Sequence, residues 1–137
     1  MSDTRSTLDA FYSAIHAGDF DALFATLSDD CTIEYYGPDT IPFAGIFAGK
    51  EKCRIFFDHV ANDIVIQRFE QNEFIVDGGK AAVAGRLTLE FKVNGRIYDS
   101  PYVHLIDVIN GKVARFRDFQ DSAKAAHVAQ DVDTPRR

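Results

Sequence analysis

An α+β domain is the fold class this sequence predicts, because its hydrophobic spacing changes once along the chain and hairpin signals fall only after the change. Over most of Leu8 to Val60, apolar residues recur every three to four positions, the spacing of amphipathic helices. From residue 64 onward they alternate with polar residues, the period of strands. Asp77-Gly78-Gly79, Asn94-Gly95 and Asn110-Gly111 punctuate that second part with tight-turn chemistry. Three helices with one early strand, then four long strands, predict helices layered on one antiparallel sheet.

Leu8, Phe11, Tyr12 and Ile15 stand at i, i+3, i+4 and i+7, so a first helix is expected, stopping at Gly18. Asp19 is a ready N-cap for a second helix that buries Phe20, Leu23, Phe24 and Leu27 and ends near Ser28-Asp29-Asp30. A short strand is expected over residues 31–36, and the Gly- and Pro-rich stretch 37–49 reads as a loop. Cys53, Phe56, Phe57 and Val60 restore helical spacing after Lys50, although Lys50 and Lys52 oppose the dipole of a helix starting there. Strands follow over 64–76 and over 81–93, where Ala81, Val83, Leu87, Leu89, Phe91 and Val93 alternate with Arg86, Thr88, Glu90 and Lys92. Type I′ hairpins are expected at Asn94-Gly95 and Asn110-Gly111, each at a strand junction. A last strand over 112–121 leads to a short helix over 123–129 and a polar tail, 131–137, expected to be disordered. Residues 1–130 read as one domain, since 137 residues support one core and not two.

Composition narrows the function. A net charge of −6, with basic clustering only at Arg136-Arg137, would repel a phosphate backbone, so no nucleic-acid partner is expected. No apolar run approaches a membrane span, and the polar start Met1-Ser2-Asp3-Thr4-Arg5 is no secretory leader, so a cytoplasmic protein is expected. Cys31 and Cys53 make neither a CxxC pair nor a disulfide framework and are expected as reduced thiols. The four His show no HxH or HExxH spacing, so neither metal nor cofactor is expected. Twelve Phe against no Trp suit a thick core or a cavity walled by ring faces.

Three stretches carry a family resemblance. FYSAIHAGDFDALFATLSDDCTIEYYG resembles the opening of NTF2-like (SnoaL-like) proteins, FAGIFAGKEKCRIFF their loop into a third helix, and PYVHLIDVINGKVARFRDFQDS their closing hairpin. The resemblance spans roughly residues 5–125. It implies a cone in which three N-terminal helices pack on a curved antiparallel sheet around a pocket, and a sheet-to-sheet homodimer. It also implies a choice of chemistries, since the fold hosts isomerases, cyclases and hydrolases as well as plain binding modules. At the ketosteroid-isomerase positions the chain has Tyr35, Phe11 and His104 where a base, an oxyanion-hole Tyr and a protonated Asp would stand. At the limonene-epoxide-hydrolase positions it has Arg86, Thr88 and Asp121, so one Asp of that trio is missing. Polyketide cyclases of the SnoaL group fit more loosely and would make Asp121 the base and His104 its partner.

Each candidate also has a reading from the residues alone. Asp121 ends a strand before a helix, as a buried base or as an ordinary N-cap. His104 shares a strand face with Tyr102 and Ile106 and either shuttles protons or bonds a neighbour. Periodicity turns Arg86 away from Leu87 and Leu89 toward water, whereas the resemblance turns it into the pocket. Tyr35 is either a phenol for a ligand carbonyl or a core residue, and Phe11, Phe57 and Phe116 are core rings that line any cavity. Alternation puts Phe116, Asp118 and Gln120 on one face of the last strand and Arg117, Phe119 and Asp121 on the other, with the pocket face left open. The catalytic set expected is Asp121, His104 and Arg86, with Tyr35, Phe11, Phe57, Tyr102, Phe116 and Asp118 at the ligand. Two functions remain: cofactor-free acid/base chemistry of cyclase, isomerase or hydrolase type on a small, mostly apolar oxygenated molecule, or a non-catalytic binding or dimerisation module.

Overall fold

The structure is a computed structural model that describes residues 3–130, and the tail expected over 131–137 lies outside them. Helix α1 (Asp3–Ala17) closes where Gly18 takes φ 66° and the Gly18 and Asp19 amides donate back to the Ile15 and Ala14 carbonyls. Asp19 caps α2 (Phe20–Ala25) by accepting the Ala22 amide at 3.1 Å. This helix is shorter than predicted, because the Thr26 hydroxyl donates to the Leu23 carbonyl and Leu27 already opens strand β1 (Leu27–Tyr35). Phe20 is accordingly 40% exposed and not part of the core.

Within the stretch expected to be only loop, β2 (Gly45–Ala48) pairs antiparallel with β1. Four residues carry too little periodicity to read, and the pairing itself makes the strand. Helix α3 (Lys50–Asp63) follows Gly49, which sits at φ 92° and supplies no side-chain cap. Lys50, unfavourable toward the dipole, reaches the Leu27 carbonyl at 3.3 Å. Strands β3 (Ile64–Asp77), β4 (Lys80–Phe91), β5 (Ile97–Ile109) and β6 (Lys112–Gln120) form a meander, and α4 (Ser122–Val128) follows.

The sheet order is β2-β1-β6-β5-β4-β3. Every pair is antiparallel except β1 with β6, where the expectation of a wholly antiparallel sheet fails. No hairpin joins those two strands, so nothing local imposes an antiparallel direction on them. The Asn110-Gly111 turn has both residues left-handed, φ 52° and 73°, as a type I′ turn requires. At Asn94-Gly95 only Gly95 is left-handed, and Phe91 pairs with Arg96 across a wider loop than predicted.

Alternation on β4 sorts its faces: Ala81, Val83, Leu87, Leu89 and Phe91 are buried, facing the helices. This face is thus taken by the core and is not the uncovered surface that would call for a partner subunit. Each fully buried Leu or Phe contributes roughly 1.5–3 kcal/mol. Gly85 interrupts the row because Tyr102 crosses it, its hydroxyl donating to the Glu70 carbonyl of β3 at 2.6 Å. A Cβ at Gly85 would lie 1.7 Å from that carbonyl oxygen and 2.7 Å from the Tyr102 hydroxyl. Gly85→Ala is therefore expected to cost about 3 kcal/mol by overpacking, read as a lower urea midpoint with an unchanged slope.

Candidate functional site

A half-open cavity of about 70 Å³ lies between α1, α3 and the inner face of the sheet. Phe11 and Ile15 of α1, Phe56, Phe57 and Val60 of α3, and Leu87 and Leu89 of β4 give it an apolar wall. Toward solvent, Ile15, Phe57, Val60, Ile64 and Ile66 are shared with a wider vestibule of about 260 Å³, so the space is a funnel that narrows inward. Its polar side chains, His104, Asp118 and Gln120, all come from the adjacent strands β5 and β6.

The register explains why they meet. His104 stands opposite Asp118, and Tyr102 opposite Gln120, in the antiparallel β5–β6 pair. Phe116, Asp118 and Gln120 therefore make the pocket face of β6, and the face left open by sequence is settled. His104 is 2% and Asp118 7% exposed. His104 Nε2 lies 3.4 Å from Asp118 Oδ1, within ion-pair range but long for a hydrogen bond. Gln120 Nε2 donates to both carboxylate oxygens, at 3.2 and 3.1 Å, while Tyr98 donates to Gln120 Oε1 at 3.0 Å. This fixes the Gln120 amide orientation and, through it, the Asp118 rotamer.

On the other side of the imidazole, Tyr12 Oη and His104 Nδ1 are 2.6 Å apart. Burial first, then Tyr102 and the Asp118 charge, raise the Tyr12 phenol well above its ordinary pKa. With the neutral phenol as donor, Nδ1 accepts and the imidazole proton sits on Nε2, facing Asp118. Tyr102 stacks on the imidazole with ring centroids 4.2 Å apart, and Phe116 packs at 4.4 Å. The ring is held by two partners and two neighbours.

Four of the expected ligand residues, Phe11, Phe57, Phe116 and Asp118, lie in the cavity wall, and His104 joins them. Tyr102 lies behind His104. Tyr35 lies one layer further back, its ring against Phe43 of the wall, its hydroxyl buried without a hydrogen bond of normal geometry. Burial pushes the Tyr35 phenol up, with the nearby Tyr98 adding to it.

Two expectations are corrected. Asp121 is the N-cap of α4, exposed and accepting the Lys124 amide at 3.1 Å, because β6 ends one residue earlier with the opposite face inward. Arg86 lies on the outer side of the sheet, bonded to Asp99 at 3.3 Å, with Thr88 donating to the same carboxylate at 3.2 Å. Alternation from Leu87 and Leu89 had indicated that orientation. Tyr12 and Gln120 were not read as site residues. Tyr12 was concealed in the apolar stripe of α1, and Gln120 shares the period of Phe116 and Asp118.

Among the described residues no group of three His, Cys, Asp or Glu is arranged to hold a metal ion, and no helix is long and apolar enough to cross a membrane. The model of the SnoaL-like domain family matches residues 8–116, and the chain belongs to that family. Its fold is similar to an NTF2-like protein from Burkholderia xenovorans LB400, with TM-score 0.85 and 23% identity over 93% of this chain and 96% of that one. A candidate polyketide cyclase from Pseudomonas putida KT2440 matches at TM-score 0.74 and 21% identity, covering 93% and 98%. An LEH-like epoxide hydrolase from M. tuberculosis matches at TM-score 0.74 and 16% identity, covering 93% and 89%. At these identities the likeness carries the fold. No curated protein matches the sequence.

The buried phenols give a test. Burial is the first cause that raises Tyr98 and Tyr102 to about 12, as it is for Tyr12, and hydrogen bonding to Glu34 raises the exposed Tyr36. A group whose pKa is higher folded than unfolded stabilises the fold below the unfolded value and loses that contribution as pH rises toward the folded one. Phenolate absorbance of the native protein is expected to stay low near pH 10, where the same chain in guanidinium is about half ionised. Stability is expected to fall between pH ~10 and ~12, with phenolate appearing together with unfolding.

Proposed function

We propose that this SnoaL-like domain binds a small, mostly apolar, oxygenated molecule and moves a proton on it without a cofactor, with Asp118 as base and His104 as its partner. The observation that carries this reading is a carboxylate and an imidazole 3.4 Å apart at the narrow end of an aromatic-walled cavity. Gln120 satisfies Asp118 from one side and leaves lone pairs toward the cavity. Asp118 takes a proton from a C–H next to a carbonyl, and the negative charge moves to the carbonyl oxygen. His104 Nε2–H donates to that oxygen, while Tyr12 holds the tautomer at Nδ1. Return of the proton to another carbon completes an isomerisation, and attack of the enolate carbon on a second carbonyl completes a ring closure. The candidate polyketide cyclase among the structural neighbours supports this class. Hydrolysis is less supported, because Arg86 is on the far side of the sheet and the apolar wall offers few groups to hold a water.

One observation favours the non-catalytic alternative: about 70 Å³ is narrow, and a ligand larger than a few atoms has to displace rings or reach into the vestibule. Deuterium incorporation from D₂O into a panel of enolisable aryl ketones and 1,3-dicarbonyls, followed by NMR, separates the two readings. Wild-type protein is expected to accelerate exchange, and Asp118→Asn and His104→Gln to lose about 100-fold or more of that rate while remaining folded. Exchange equal in wild type and both variants would leave a binding module.

A homodimer is part of the same proposal. The outer face of the sheet exposes Val103 and Phe119 at 40% each and Ile75 at 64%, with Tyr36 stacked on Phe119. A second copy packed sheet to sheet would cover them, as the family resemblance implies. Light scattering is expected to give twice the chain mass, and Val103→Asp to give the monomer.

A further inference from the structure

The cavity leaves one pair of reactive side chains unused. Cys31 of β1 and Cys53 in the first turn of α3 are both free and fully buried, with their sulfurs 3.0 Å apart. Neither lines the cavity. Besides the Cys31 sulfur, Cys53 Sγ meets the Cys31 and Phe47 carbonyls, each at 3.5 Å, and the Ile33 backbone. Two thiols in sulfur-to-sulfur contact need only about 1 Å of further approach to reach a disulfide bond length near 2.05 Å. We propose that Cys31 and Cys53 are a redox-modifiable pair, closed to an intramolecular disulfide by hydrogen peroxide and reopened by thiol reductants.

The two sulfurs have different tasks. The sulfur-to-sulfur contact favours the Cys31 thiolate and disfavours that of Cys53; Lys50 adds to the first effect. Burial opposes ionisation of both, and Asp30 opposes that of Cys31. Cys31 is thus the nucleophile and Cys53 the resolving thiol. The Cys31 thiolate attacks one peroxide oxygen, the O–O bond breaks, and hydroxide leaves as Cys31 becomes a sulfenic acid. The Cys53 sulfur then attacks the Cys31 sulfur, the S–O bond breaks, and the departing hydroxide takes the Cys53 proton as water. Two thiols lose two electrons and two protons, and one peroxide becomes two waters. The Phe47 carbonyl of β2 covers the Cys53 sulfur, and β2 is a sheet-edge strand of four residues with Ile46 64% exposed, so its local opening would admit a small oxidant. The bond would tie the start of α3 to β1, one turn from the cavity residues Phe56 and Phe57.

The test is peroxide treatment of the native protein, followed by intact mass and thiol titration in denaturant without reductant. The expected result is loss of both thiols, a mass lower by two hydrogens, a Cys31–Cys53 linked peptide within one chain, and recovery with dithiothreitol. Cys53→Ala should instead halt at one added oxygen on Cys31, trapped by dimedone. The proposal is overturned if both thiols survive peroxide that oxidises free glutathione. Oxygen addition without hydrogen loss, links only between chains, or reaction only after unfolding would overturn it equally. The wild-type masses decide the matter even where Cys53→Ala does not fold.

Discussion

Keeping an ionisable carboxyl group inside an apolar cavity is the constraint around which this domain is arranged. Moving a carboxylate out of water costs several kcal/mol even after relaxation, and Asp118 is only 7% exposed. Its compensation is assembled from three elements: Gln120 on its own strand, His104 on the neighbouring strand, and Tyr12, through His104, on α1. Each of these is held in turn, Gln120 by Tyr98 and His104 by the stacked Tyr102. The result is one polar chain running through a largely apolar interior. Removing a member leaves a neighbour buried without its partner, which is why such chains act as units.

Much of the architecture was legible because it rests on local chemistry. The Asp19 cap, the stop at Gly18, the Gly78-Gly79 turn and the alternation of β4 each follow from a side chain or backbone preference that short sequence windows display. Strand β2 and the parallel pairing of β1 with β6 depend on what lies alongside, and no window of sequence contains that information. The loop after β4 shows the same limit more finely. Asn94-Gly95 has the composition of a type I′ turn, but Phe91 and Arg96 set the closing pair and make the loop longer.

For the site, alternation proved a better guide than the family resemblance. It put Arg86 opposite Leu87 and Leu89, and that is the side on which it meets Asp99. Applied to β6, it also separated Asp118 from Asp121; only the identity of the inward face was missing. A single inward neighbour decides it, because His104 and Asp118 are register partners and Phe116 lies in the core. Tyr12 was invisible for a different reason: its ring does what a core residue does, and the hydroxyl at the end of that ring has a partner ninety-two positions away.

The separation of the cavity into a polar floor on β5 and β6 and an apolar wall shared by α1, α3 and the neighbouring strands bears on how such a domain diversifies. The residues that would perform the chemistry are locked by backbone pairing between adjacent strands, whereas Phe56, Phe57 and Val60 sit on one face of α3 and hold no hydrogen bonds to the floor. Exchange of wall side chains changes the volume and shape of the cavity and leaves the His104 and Asp118 side chains where they are. On the proposed reading, descendants of one ancestral chain, or variants from one library, would explore new ligands while keeping the same pair of His104 and Asp118, so that novelty in this scaffold would start at the wall and the floor change last.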